Sequence, residues 1–183
     1  DLGLEASIVG VTKFCVHPPH IKSKVALVGG TKQIHIEKIK ALKPDVILCN
    51  KEENTKEIVE ACELICAVHV SDIYTVTDSL KLIEQYGNLF NVKEKALHIC
   101  NEIKIQQNNF EHFIEDKKRL KVAYFIWKNP WMVAANNTFI NYLLTLNGFD
   151  NYYKNQNRYP QINLQVNPNI DLVMLSSEPY PFK

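Results

Sequence analysis

The sequence predicts an α/β fold of two similar lobes with parallel sheets, joined by one long helix. Three observations lead there. Short β-branched runs alternate with helix-period segments through most of the chain. The stretch 91–116 contains neither glycine nor proline and carries one apolar stripe at helical spacing. A pattern of proline, aspartate, buried strand and polar loop occurs on both sides of that stretch.

The elements follow in order. Asp1-Leu2-Gly3-Leu4 has the form of a helix end, with Gly3 suited to the left-handed C-terminal position. Ser7 to Val11 is predicted as a strand, followed by a polar loop from Thr12 to Lys24 containing Pro18-Pro19. Val25 to Val28 is a second strand, ending at Gly29-Gly30-Thr31. Ile34, Ile36, Ile39 and Leu42 fit a short helix that Lys43-Pro44 must stop, because the residue before proline avoids the α region. Asp45 to Cys49 is too short for a helix and rich in β-branched residues, which fits a buried parallel strand. Asn54-Thr55 caps a helix bearing Ile58, Val59, Cys62 and Ile65. Cys66 to Val70 is another strand, and Thr77 to Tyr86 another helix, closed by Gly87-Asn88.

A helix over residues 91–116 would be roughly 40 Å long, more than one βα unit of this size requires. It suits a strut between lobes. A second α/β segment follows, with Val122 to Trp127 a strand, Asn137 to Leu146 a helix ended by Asn147-Gly148, and Ile170 to Leu175 a strand. The echo pairs Ile36 to Glu52 with Ile162 to Glu178. The expected organisation is a lobe over 1–90, a bridging helix over 91–116 and an incomplete lobe over 117–183. Both ends stop inside structural units, so the chain is read as a partial view of a longer protein.

Composition narrows the function. The 183 residues carry 21 basic and 20 acidic side chains, a formal charge of +1. That leaves no basic excess for displacing counterions from nucleic acid, so none is expected as a partner. No apolar run approaches the roughly 18 residues needed to span a bilayer. Five cysteines make an odd count, and Cys49, Cys62 and Cys100 lie in apolar regular stretches, where free thiols act as small hydrophobes. This fits a reducing compartment, or an exported protein that leaves its thiols unpaired.

Ligands of parallel sheets gather beyond the carboxyl ends of the strands. Loops placed there hold Phe14, Trp127, Trp131, Tyr180 and Phe182, with Lys32, Lys51, Glu52, Asn129 and Glu178. Rings with a few polar groups suit a large, flat, partly apolar ligand, although loop aromatics also serve simply to pack lobe ends. Cys15-x-His17-x-x-His20 offers metal-ligand chemistry but matches no closed zinc site and lacks a fourth ligand. His35, His69, His98 and His112 are scattered and read as structural or exposed. Gly29-Gly30-Thr31-Lys32 lacks phosphate-loop spacing. Neither a G-x-S-x-G elbow nor an H-E-x-x-H helix is present, and Cys62-x-x-x-Cys66 reads as core. No nucleophile stands beside a base, so an enzyme is not expected.

The ordered set Val9-Gly10-Val11-Thr12, Val28-Gly29-Gly30, Ile36-Glu37-Lys38-Ile39 and Ala41-Leu42-Lys43-Pro44-Asp45-Val46-Ile47-Leu48 resembles the N-lobe of helical-backbone periplasmic binding proteins. These are the vitamin B12, haem and iron-siderophore receptors of ABC importers. Asn136 to Asn151 and Arg158-Tyr159-Pro160-Gln161 also fall in family order. The resemblance implies two Rossmann-like lobes holding a metal chelate, a cobalamin-like corrinoid or an iron-siderophore or haem, in an interlobe cleft. It also implies delivery of that ligand to a membrane permease. It further implies missing terminal segments, a monomer without a resident cofactor, and a periplasmic or membrane-tethered extracytoplasmic location.

For the ligand, Phe14, Trp127, Trp131 and Tyr159 would supply ring contacts. Lys32, Asn50, Lys51, Glu52, Asn129, Ser177, Glu178 and Tyr180 would supply the rest of the pocket. Arg158 is the only arginine near the cleft, so no arginine cluster for carboxylate siderophores is expected. Glu37 matches a permease-docking glutamate, whereas its C-lobe counterpart is Gln165, which removes one charge. Rival readings are a tetrapyrrole-handling enzyme or chelatase, with His17, His20 or Glu178 as base, and a bare zinc or manganese receptor.

Overall fold

The computed structural model describes residues 1–164, 169–177 and 182. It has an α/β fold, and its contacts divide it into two compact units, Asp1–Asp72 and Ile73–Lys183.

In unit 1, a single 3₁₀ turn at Glu5–Ser7 precedes β1 (Gly10–Val11), α1 (Ile21–Lys24), β2 (Ala26–Leu27), α2 (Ile36–Leu42), β3 (Val46–Asn50), α3 (Lys56–Glu63) and β4 (Ala67–Ser71). β1 pairs with β2 in parallel, Gly10 opposite Ala26. β3 pairs with β4 in parallel over its whole length, from Val46 opposite Ala67 to Asn50 opposite Ser71. The strand expected over Ser7–Val11 is shorter, because β2 offers only two residues to pair with and Ser7 is taken by the turn. Lys43 ends α2 in the left-handed region at φ 48°, outside the right-handed helical region that its place before Pro44 disfavours. The Thr55 hydroxyl accepts the Ile58 N–H at 3.4 Å and caps α3, as its sequence position predicts.

Unit 2 opens with α4 (Val76–Leu89) and α5 (Lys93–Ile114), then β5 (Lys121–Trp127), β6 (Met132–Val133), α6 (Phe139–Leu146), β7 (Asp150–Asn151) and β8 (Leu172–Leu175). The long helix expected over 91–116 is present as the 22 residues of α5, about 33 Å of rise. α4 runs through Gly87 to Leu89 rather than stopping there. The reason is packing. Gly87 faces α5, and a Cβ there would overlap Ala96 Cβ. Asn91, at φ 57°, makes the turn instead.

α4 begins with a reciprocal cap. The Asp78 N–H donates to Thr75 Oγ1 at 3.1 Å, and Asp78 Oδ2 accepts from the Thr75 N–H at 3.0 Å and the Thr75 hydroxyl at 2.8 Å. The Thr75 hydroxyl, with the backbone N–H groups of Tyr74 and Thr75, holds the Asp78 carboxyl below its ordinary pKa. Because the folded value lies below the unfolded one, this contribution is complete above the usual aspartate range and is lost as pH falls through the lowered value. Thr75→Ala is expected to cost about 1 kcal/mol at neutral pH. Thermal melts over a pH series should show the gap between Asp78→Asn and the parent closing as pH drops through that range.

The sheet of unit 2 is centred on β5 and is mixed. β7 and β8 pair with it in parallel, while β6 pairs antiparallel, Phe125 opposite Val133. The parallel sheet that the sequence predicts is present in β5, β7 and β8, and β6 adds an antiparallel strand. The four residues between β5 and β6 are too few for a crossover and can only turn the chain back. α6 starts at Phe139 rather than Asn137, since Asn137 has φ 56° and Thr138 caps the helix by accepting the Asn141 N–H at 3.0 Å. β8 likewise starts at Leu172 rather than Ile170. Residues 162–164, the counterpart of α2 in the internal echo, form no helix.

The core of unit 2 is built on Ala123, Phe125 and Val133, with Trp131, Tyr153, Ile162, Ile170 and Phe182 packed against it. Val122 is also fully buried, so the start of β5 is covered on both faces. The buried Asn151 amide donates to Ala134 O at 3.0 Å and Asn141 Oδ1 at 2.8 Å, and its Oδ1 accepts the Tyr153 N–H at 3.0 Å. Such satisfaction is what keeps a polar core group from being costly.

Candidate functional site

Each unit gathers polar and aromatic side chains beyond the carboxyl ends of its strands. In unit 1 three loops are tied together there. The Lys13 N–H donates to Gly29 O at 2.8 Å, joining the loop after β1 to the loop after β2. Lys32 Nζ donates to Glu52 O at 3.1 Å and Asn54 Nδ2 to Thr31 O at 3.1 Å, joining the latter to the loop after β3. The sequence-predicted residues Phe14, Lys32, Asn50, Lys51 and Glu52 therefore share one rim. Phe14 is 60% exposed, packs beside Gly30 and carries Lys13 Nζ 5.1 Å from its ring centroid. A large exposed ring held by neighbours at a sheet end offers an open face for stacking.

Asn50 has a different local job. Its Nδ2 donates to Ser71 Oγ at 3.3 Å, its Oδ1 accepts the Glu52 N–H at 2.9 Å, and its own N–H donates to Asn54 Oδ1 at 2.8 Å. Ser71 passes the chain on to Cys49 O at 3.2 Å. Asn50 thus shapes the rim from within. Lys51 Nζ bonds Asp72 Oδ2 at 2.5 Å, which orients a cation at the end of β4.

In unit 2 the loop 127–131 divides its residues between two roles. Trp127 is 37% exposed and Asn129 is exposed, at φ 63° before a cis peptide to Pro130. Trp131 turns inward, edge-on to Phe125 at 5.5 Å and stacked on Phe182 at 6.2 Å. It belongs to the wall of the core as much as to any rim. Ser177 is exposed just past β8, while Ser176 Oγ is buried with no partner among the described residues. Glu178, Tyr180 and Gln165 lie outside the described residues.

The most developed site in unit 2 was not assembled by sequence reasoning. Arg158 Nη1 donates to Tyr74 Oη at 3.2 Å and to Asn137 O at 3.5 Å. Its guanidinium carbon lies 5.8 Å from the Tyr74 ring centroid and 5.6 Å from that of Tyr159. The backbone holds the group in place, since Arg158 N–H donates to Asn136 O at 2.7 Å and Arg158 O accepts the Ala135 N–H at 2.8 Å. Arg158 and Asn137 both sit at positive φ, 59° and 56°, where a non-glycine residue is strained by ~1 kcal/mol or more. A concavity of about 580 Å³ opens here, lined among others by Tyr74, Asn136, Asn137, Tyr142, Asn157 and Arg158. Its lining includes neither Trp127, Asn129 nor Trp131. A guanidinium flanked by rings and amides is suited to the anionic or carbonyl edge of a ligand. Sequence inspection isolated Arg158 and Tyr159. Tyr74 stands 84 positions away and carries no local signal.

Glu37, the docking candidate, lies in the first turn of α2 with its side chain 85% exposed, paired with Lys40 at 2.8 Å. His20 Nε2 meets Glu5 Oε2 at 3.0 Å, and both side chains are exposed. Among the described residues no three His, Cys, Asp or Glu side chains converge as a metal site. No helix among them is long and apolar enough to cross a membrane.

Comparison with known proteins places these features in context. The sequence profile of the family described as periplasmic binding protein matches residues 1–172. The vitamin B12-binding protein of Pectobacterium atrosepticum is 23% identical over 87% of this chain and 60% of its own length. This chain therefore spans about three fifths of that curated relative. A possible iron-binding periplasmic solute-binding protein from Staphylococcus epidermidis superimposes with TM-score 0.80 at 17% identity, covering 97% of this chain and 72% of that one. IsdE of S. aureus, solved with heme, gives TM-score 0.77 at 22% identity over 94% of this chain and 70% of its own.

Proposed function

This chain belongs to the periplasmic binding protein family, and on that premise we propose that it captures a metal chelate and delivers it to an ABC importer permease. The ligand class is an iron-siderophore, haem or cobalamin-like corrinoid. The observation that carries this reading is the Arg158 concavity, whose size falls within the few hundred to ~1,000 Å³ usual for small-molecule sites. Its flanking rings suit an extended conjugated or chelating framework, and its guanidinium and amides suit the polar periphery of one. In unit 1 the exposed Phe14 ring, with Lys32, Lys51 and Glu52 on the same rim, offers the same combination. Trp127, Asn129, Tyr159 and Ser177 complete the proposed ligand contacts, with Trp131 acting through the wall it builds.

The protein acts as a binder rather than an enzyme, so the ligand leaves chemically unchanged. The proposed setting is extracytoplasmic, either periplasmic or tethered to the membrane, with the protein working as a monomer. Glu37 is the proposed contact to a permease cation. Exposure suits it to that role, because an exposed Lys40 pair is weak and readily exchanged.

The test is a titration of the purified protein with cobalamin, haemin and a panel of ferric siderophores, followed by quenching of Trp127 and Trp131. Saturable quenching by one of these, with the ligand recovered intact, is the expected result. Absence of binding to every one defeats the assignment. Glu37→Ala should leave that titration unchanged while lowering uptake by cells that depend on the protein.

A further inference from the structure

We propose that unit 2 holds a second small-molecule site, for a neutral saccharide, in the concavity beside Tyr152 and Tyr153. This hollow has a volume of about 450 Å³ and shares no lining residue with the Arg158 concavity. The loop after β7 divides the two. Asn155 and Gln156 line the first, Asn157 and Arg158 the second.

The apolar part of the wall rests on the core. Tyr153 and Ile162 pack against Ala123, Phe125 and Val133. Tyr152 stands edge-on to Tyr153, with ring centroids 5.0 Å apart and planes at 85°, so the two rings form a corner. Backbone bonds fix the segments that carry these groups. Asn151 Oδ1 accepts the Tyr153 N–H at 3.0 Å, Tyr153 O accepts the Gln156 N–H at 2.9 Å, and Gln156 O accepts the Asn136 N–H at 3.1 Å. The Ile162 N–H donates to Trp131 O at 2.9 Å, and Gln161 forms a β-bridge with Met132. A wall held in this way needs little ordering when a ligand arrives.

The polar part consists of the carboxamides of Asn155, Gln156, Gln161 and Asn163, all exposed. Among the described residues no hydrogen bond takes up these side-chain amides. The described lining carries no charged side chain, and Lys154 in the same loop bonds Asp150 Oδ1 at 2.7 Å.

That composition selects the ligand. An anion would meet carboxamide oxygens and no cation, and an apolar ligand would leave the amides unmatched. Each carboxamide both donates and accepts, as a hydroxyl does. A sugar sets several hydroxyls around a ring whose C–H face packs on an aromatic side chain. The hollow lies within the size range of small-molecule sites.

The experiment follows the side-chain amide signals of the isotope-labelled protein by NMR. The probes are glucose, galactose, mannose and N-acetylglucosamine, all neutral, and glucuronate, which is charged. One neutral sugar should shift the Gln156 and Gln161 signals saturably, with glucuronate at least about threefold weaker than that sugar. Asn155→Ala and Gln161→Ala remove exposed amides without touching the core. Each should weaken that sugar roughly three- to tenfold, the loss of one neutral hydrogen bond. Neither should change the affinity for a chelate at the Arg158 site, so the two readings stand or fall separately. No saturable shift with any neutral sugar, equal affinity for glucuronate, or undiminished binding in both variants would each overturn the proposal.

Discussion

Arg158→Ala is expected to weaken binding of an anionic chelate, such as haem with its carboxylates or a carboxylate siderophore, by roughly 10- to 100-fold. The size follows from losing hydrogen bonds to a charged group, about 1.5–3 kcal/mol at 25 °C. Two features concentrate the effect on one side chain. The guanidinium is held over Tyr74 and Tyr159, and its own backbone is pinned on both sides to residues 135 and 136. Little ordering remains to be done when a ligand arrives, which is the condition under which a charged hydrogen bond contributes most. Arg158→Lys should fall between the parent and the alanine variant, since lysine keeps the charge but loses the planar fork. A corrinoid, whose periphery is mainly neutral amide, should lose less than an anionic ligand. Tryptophan quenching measures all three proteins, with a thermal melt to establish that each is folded. Equal affinity across the series would remove Arg158 from the site.

Gly87→Val is expected to be the most damaging single change in unit 2, destabilising it by about 3 kcal/mol, the upper end of usual overpacking costs. A Cβ at this position overlaps Ala96 Cβ and stands 3.4 Å from Lys93 Cα and 3.7 Å from Val92 O. The clash is with Ala96 Cβ, which has no rotamer to turn away, while the two backbone neighbours stand at ordinary contact distance. Gly87→Ala sharpens the test. On helix propensity alone it should stabilise α4 by ~1 kcal/mol. The overlap with Ala96 predicts the opposite sign. Moving the glycine across the interface, as Gly87→Ala with Ala96→Gly, should recover much of the loss. Urea denaturation of the parent and the three variants separates the cases, and a Gly87→Ala protein more stable than its parent would refute the packing argument.

These two sites differ in how much of them could be read from the chain. Gly87 is visible in the sequence, where a glycine near the end of an apolar pattern reads as a helix stop. Only the approach of α5 shows that it is a contact point. Phe14, Lys32, Lys51 and Glu52 were legible as a shared rim, since the strands of unit 1 are short and regular and their carboxyl ends follow from the alternation pattern. Asn50 was legible in place but not in role. Its amide groups are taken up by Ser71 and Glu52, and the first of these lies on a different strand. Trp131 and Trp127 look equivalent in sequence, yet Trp131 joins the core while Trp127 remains at the surface.

By itself the sequence determined what depends on neighbours along the chain. The alternation of strand and helix, the unbroken α5, the cap at Thr55 and the stop at Lys43-Pro44 all arise within a few residues, where backbone sterics and side-chain period act directly. The tertiary structure alone decided which distant groups meet. It brought Tyr74 to Arg158, Gly87 to Ala96 and an antiparallel β6 to β5. Such meetings depend on the path of the whole chain and on close packing between elements, and neither leaves a periodic trace in the residues that take part.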